Sequence, residues 1–162
     1  MGMKNNEFHT VRGYQLLKRK SGLLTPAMED YLEMVYRNIS GGNYMRVNTL
    51  AGLLNVRTSS ATKMVQKLSQ RGFLEYEKYG IISLTKKGEK LGGFLLQRHN
   101  SIERFLKTIG VDENLLRETE LIEHTISENT LRCIECLNFY FEENPKVIEE
   151  LKNIRQRYDK GL

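Results

Sequence analysis

The chain contains no tryptophan, two prolines and two cysteines among 162 residues. It also lacks any apolar run near the roughly 18 residues needed to cross a bilayer. Its N-terminus has no apolar core of the kind that marks a secretory signal, so a cytoplasmic protein is expected, with no membrane partner. The cysteines, Cys133 and Cys136, form a C-x-x-C pair. A structural zinc site wants a second ligand pair, and a redox pair normally stands at a helix start after a strand. This pair falls inside a predicted amphipathic helix and reads as two reduced thiols. There is no internal repeat, no low-complexity tract, no nucleophile motif and no substrate-binding loop, so neither an enzyme nor an organic substrate is expected.

What is present is a basic excess of uneven distribution. The formal net charge is +5. Residues 1–22 carry five Lys/Arg against one acid, residues 23–88 nine against five, and residues 89–162 eleven against fourteen. A positive head joined to a mildly acidic body is the footprint of a nucleic-acid-binding module attached to a part with another task. The leader at 1–22 ends in Lys18, Arg19 and Lys20, and reads as a solvated terminus, a DNA-touching arm or, at its start, a cloning remnant.

The head has a recognisable order. Thr49 to Leu54 makes a short apolar-patterned helix, Asn55 and Val56 allow a turn, and Thr58 is expected to cap a second helix that Gly72 ends. In that second helix Ala61, Met64, Val65 and Leu68 recur at helical spacing and should face inward. Ser59, Ser60, Thr62, Lys63, Gln66 and Lys67 are left on the outer face, where small hydroxyls permit approach to a groove floor and lysines neutralise phosphates. A solvated surface helix would carry the same residue types. Phe73 to Lys78, a turn at Tyr79-Gly80 and Ile81 to Leu84 then form a wing-like hairpin. Helix, turn, basic-faced helix and hairpin in this order point to double-stranded DNA, with Arg57, Thr58 and Lys78 added to the candidate contacts.

The remaining segments read as helices. Thr25-Pro26 opens one whose apolar stripe is Met28, Tyr31, Leu32, Val35 and Ile39, with Asp30 and Glu33 on a neighbouring face. Thr85 starts a long helix to about Ile109, where His99 lies at the margin of the stripe. By itself a histidine there is more often a partly buried structural residue than a ligand. Asp112 is expected to cap a helix over Glu113 to Thr125, with Leu115, Leu116, Leu121 and Ile122 as apolar candidates. Glu120, Glu123 and His124 share one side of it, either as a set of oxygen and nitrogen donors to a cation or as an acidic solvated face. Ser127 should cap a further helix with Leu131, Ile134, Leu137 and Phe141 inward. Asn144-Pro145 begins a last one carrying Val147, Ile148, Leu151, Ile154 and Tyr158, and both stripes suit subunit packing.

Set together, the strings TPAMEDYLE (25–33), SSATKMVQKL (59–68), YEKY (76–79), LTKKG (84–88), RH (98–99), FLKTIGVDE (105–113) and ETELIEH (118–124) resemble the diphtheria-toxin-repressor family of metal-activated repressors, in its manganese transport regulator branch. The resemblance implies a mainly α fold: an N-terminal winged helix-turn-helix domain over 23–88, then an all-helical metal-binding and dimerisation domain over 89–162. It implies a homodimeric repressor that binds operator DNA and controls metal-uptake genes. It also implies two Mn(II) ions per subunit, held by Asp30, Glu33, His99, Glu120, Glu123 and His124, with Glu33 and Glu123 bridging. Hard carboxylates and imidazole suit Mn(II), which binds weakly in the divalent series. The iron-responsive branch places Met and Cys where this chain has Asp30 and Glu120; Fe(II) remains the alternative activator. A cobalt sensor, a regulator answering an organic ligand and a metal-assisted hydrolase are the other readings.

Overall fold

Pro26 follows Thr25, whose side chain accepts from the Met28 N–H, and the two residues together start helix α1 (Pro26–Ile39). Proline costs nothing at that position because its missing N–H has no intrahelical acceptor to lose. The computed structural model describes residues 24–161, so the basic leader lies outside the described residues. After α1 come β1 (Met45–Arg46), α2 (Val47–Leu53), α3 (Thr58–Gln70), β2 (Leu74–Tyr76), a single 3-10 turn (Lys78–Gly80) and β3 (Ile81–Leu84). The body follows as α4 (Lys86–Thr108), α5 (Leu115–Glu123), α6 (Glu128–Glu143) and α7 (Pro145–Asp159). The mainly α architecture with a winged helix-turn-helix head is therefore as expected from the sequence.

The wing is a hairpin of β2 and β3, with Tyr76 opposite Ile82 and Leu74 opposite Leu84. The two-residue strand β1 adds on the other side of β3, giving the order β1-β3-β2. Tyr79, at φ 65°, makes the tip turn.

All five residues of the expected α1 stripe are buried, and they meet Leu50 from α2, Ala61, Val65 and Leu68 from α3, and Leu74 and Ile82 from the wing. A second, smaller core gathers Ile102, Leu106 and Leu131, with Phe105, Leu115, Ile122 and Ile134 packed against it. Helix α4 serves both cores: Leu95 is buried in the first and Ile102 in the second. It lies close against α1 because Gly92 faces Tyr36. A methyl group there would come within 2.6 Å of the Tyr36 Cβ, so the two helices could not approach as they do with any larger residue.

Two expected caps are corrected. Thr58 is the first residue of α3, not its cap, and Arg57 precedes the helix without a side-chain bond. The backbone of Thr58 is already helical, and its carbonyl accepts from the Thr62 hydroxyl at 2.9 Å. Asp112 does not cap α5 either. Gly110 at φ 91° turns the chain, Val111 packs into the second core, and Asn114 in the left-handed region leads directly into a shorter helix. By contrast Ser127 does cap α6, accepting from the Thr130 N–H at 3.1 Å. Leu137, expected to face inward, is exposed, as are the apolar candidates Leu116 and Leu121 and, on the last helix, Ile154 and Tyr158 of the stripe assigned to subunit packing. No helix among the described residues is long and apolar enough to cross a membrane.

Candidate metal centre and nucleic-acid interface

The three segments that hold the expected ligands converge where α1 meets α4 and the end of α5. Asp30 and Glu33 come from α1, His99 from the middle of α4, and Glu120, Glu123 and His124 from the last turn of α5 and its cap. They form two groups whose potential donor atoms lie within 4.8 Å of one another: Asp30, Glu120, Glu123 and His124 in one, Glu33, His99 and Glu123 in the other. Glu123 belongs to both and is 1% exposed. Glu33 belongs to one only. All the donors are carboxylate oxygen or imidazole nitrogen, and neither cysteine, both exposed on α6, joins them.

Two residues not singled out from the sequence complete the arrangement. Glu29 lies 2.9 Å from His124 Nδ1, while His124 Nε2 stands 2.7 Å from Asp30 Oδ1. Arg98, buried beside His99, donates to Glu29 at 3.0 Å and reaches to 3.7 Å from Glu123. Adjacency was the one signal available: Glu29 precedes Asp30 and Arg98 precedes His99. Sequence spacing cannot show that 69 residues of separation close to a hydrogen bond.

The electrostatics are those of crowded carboxylates compensated in part by Arg37, Arg98 and the two imidazoles. Burial, and then the charge of Glu123, raises the Glu33 carboxyl above the usual range against the pull of Arg37. Glu120 is raised by burial and by the same Glu123 charge. The hydrogen bond to Glu123, 2.9 Å from His99 Nδ1, raises the His99 imidazole although burial opposes it. Burial alone would push His124 down, but the Asp30 and Glu29 carboxylates on its two nitrogens outweigh that and push it up to about 9. Burial would raise Glu29, yet His124 and Arg98 hold it below its ordinary value. Asp30 Oδ1 is buried without an aligned hydrogen bond despite its short distance to His124. A carboxylate oxygen and an imidazole nitrogen, both of a kind that divalent cations accept, thus stand side by side.

On the head, Arg57, Thr58, Ser59, Ser60, Lys63, Gln66 and Lys67 are exposed along the outer face of α3. Thr62 is half-buried, and its hydroxyl donates back to Thr58, which removes it as a free donor. The side chain of Lys78 lies outside the described ones; its neighbour Tyr79 is 90% exposed at the wing tip. A cleft of about 520 Å³ between α4 and α6, lined among others by Gln97, Ser101, Arg104 and Glu135, shares no residue with the carboxylate cluster. Gln97 and Ser101 bond Glu135 across it, and Arg104 bonds Glu142.

Residues 23–82 match the iron-dependent repressor N-terminal DNA-binding domain, and residues 85–152 match the metal-binding and dimerisation domain of the same family. The HTH-type transcriptional regulator MntR of Geobacillus thermodenitrificans is 46% identical over 138 residues, covering 85% of this chain and 98% of that protein. The chain belongs to the iron-dependent repressor family, in its MntR branch. The Bacillus subtilis MntR is 45% identical over 136 residues, covering 83% of this chain and 96% of its own. Among solved structures of the family, the manganese regulator SloR superposes with a TM-score of 0.62 at 28% identity, over 72% of this chain. ScaR with bound Zn²⁺ superposes with a TM-score of 0.57 at 31% identity, over 70% of this chain. This chain spans about half of each of those two structures, 55% and 54%. As a member of this family the chain is a DNA-binding transcriptional regulator.

Proposed function

We propose that this regulator is a homodimeric repressor of metal-uptake genes that binds its operator when Mn(II) fills the cluster between head and body. The observation that carries this reading is the pair of donor groups sharing Glu123. They draw on α1, which is part of the DNA-binding head, and on α4 and α5, which are part of the body. Asp30, Glu120, Glu123 and His124 would hold one ion, and Glu33, His99 and Glu123 the other. Bound Mn(II) supplies positive charge among the carboxylates, from donors of the hard kind it accepts.

The chain's own residues do the rest. Asp30 and Glu33 fix the face that α1 turns toward the body, and α1 packs directly on α3, so the angle of the recognition helix follows. Glu123 holds His99 by a hydrogen bond and keeps α5 against α4. In a dimer, two recognition helices must present themselves to successive major grooves, about 34 Å apart, and heads held at the wrong tilt on the body would satisfy only one half-site at a time. Moving the competent arrangement from about 1% to about 99% requires roughly 5.5 kcal/mol of differential binding. The exposed side chains Phe94, Leu116, Leu121 and Leu137 on the body supply apolar surface for a second copy. The outer face of α3, from Arg57 to Lys67, would contact the duplex, with Lys63 and Lys67 on phosphates.

Selection of binding sites from a randomised duplex pool, with Mn(II), with Fe(II) and with chelator, tests this directly. A sequence enriched with Mn(II) and lost on chelation is expected. A gain in affinity for the enriched duplex of no more than about threefold on adding Mn(II) would refute the switch. An equal response to Fe(II) would move the chain to the iron-responsive reading.

A further inference from the structure

The half of the cluster with fewer donors already contains a cation. Arg37 lies one turn beyond Glu33 on α1, and its Nε donates to Glu33 Oε1 at 2.9 Å while its Nη2 bonds the same oxygen. That oxygen is the one turned toward the other donors, 3.9 Å from His99 Nδ1. The Glu33 side chain is 7% exposed, so the guanidinium is the chief compensation for its charge. Arginine does not deprotonate in proteins, so it cannot step aside by losing its proton. Arg98, beside the other half, differs: its closest carboxylate is Glu29, which belongs to neither donor group.

We infer that Arg37 sets the metal affinity of the Glu33, His99 and Glu123 half by competing with a divalent cation for Glu33 Oε1. This rests on the reading of the cluster as a metal centre. Filling that half requires Arg37 to release the oxygen and return to solvent, and its 32% exposure leaves it an open path. Arg37 thereby separates the concentrations at which the two halves fill. Because the half it regulates joins α1 to α4 and α5, the separation acts on the contact between head and body.

Titration of the full chain with Mn(II), followed by the paramagnetic resonance of the free ion, resolves the two binding steps. In Arg37→Met and Arg37→Gln the weaker step should tighten about fivefold, the upper end of what a partly exposed ion pair contributes. Arg37→Lys keeps the charge and should retain the weak step, as should Lys90→Met, which removes a positive charge from the exposed side of α4. If the weaker step moves by less than about twofold in both neutral variants, the competition is refuted while the metal centre stands. If neither parent nor variants bind Mn(II), both readings fall. Should Arg37→Met fail to fold, the Gln and Lys variants decide the matter between them.

Discussion

Glu123→Gln isolates the charge of the side chain that belongs to both donor groups, because it keeps the shape of a residue that is 1% exposed. Two opposing effects determine the metal-free stability. The substitution weakens the charge-assisted bond with His99 and the longer contact with Arg98, a loss of roughly 1.5–3 kcal/mol. It also removes a negative charge from among neighbours whose donor atoms lie within 4.8 Å. At that distance a like-charge pair repels by roughly 3 kcal/mol at an effective dielectric of about 20. The terms nearly offset, so the metal-free variant should melt within about 5 °C of the parent. Glu123→Ala, which leaves His99 and Arg98 facing a void, should cost about 3–5 kcal/mol. With Mn(II) the contrast reverses. A ligand at about 100 times its Kd stabilises the folded state by roughly 2.7 kcal/mol, which corresponds to about 5–10 °C for a chain of this size. The parent should show that rise in a thermal-shift series and Glu123→Gln should show none. A full Mn(II)-dependent rise in the Gln variant would refute the shared-ligand geometry.

Glu29→Gln should weaken Mn(II) binding at the four-donor half about tenfold, because Glu29 orients His124 through Nδ1 without being a ligand itself; an unchanged titration would remove it from the centre. Lys63→Ala and Lys67→Ala should each flatten the slope of log affinity against log salt by about one, and an unchanged slope would place the duplex on another face. The folded-state value of His124, raised from 6.5 to about 9, means that its imidazolium contributes stability fully present below about pH 6.5 and lost as pH rises through about 9. His99 is raised in the same direction. The metal-free chain should therefore melt lower at about pH 9.5 than at about pH 6.5, while the Mn(II)-dependent rise grows over that interval because a ligating imidazole must be neutral. Melting curves at both values, with and without Mn(II), check both signs.

Much of this molecule is legible from local chemistry. Thr25-Pro26, Thr85 and Ser127 mark helix starts because a side-chain oxygen can reach an unpaired N–H, and the α1 stripe is legible because burial repeats with the helical period. Thr58 and Asp112 carry the same residue chemistry and cap nothing, since capping depends on backbone angles that the residue type does not set. Strand β1 is too short for alternation to show, and it exists because β3 offers it an edge. Leu116 and Leu121 look like core residues on a helical wheel, yet in a nine-residue helix only one side meets the body. Spacing offers Glu120, Glu123 and His124 as one possible donor set, but the full set of six from three distant segments follows from resemblance. Glu29, Arg37 and Arg98 are visible only once α1, α4 and α5 are placed together, because ion pairs between distant segments leave no periodic trace.

Helix α4 runs unbroken for 23 residues, about 35 Å, with Leu95 buried in one core and Ile102 in the other. A fragment of the head cut at residue 84, near the boundary between the two family domains, would lose Leu91 and Leu95 and expose the hole they fill. Isolating the head therefore means carrying half of this rod with it. With no joint along its length, a few degrees of tilt imposed beside His99 must be felt at the far end, under the wing.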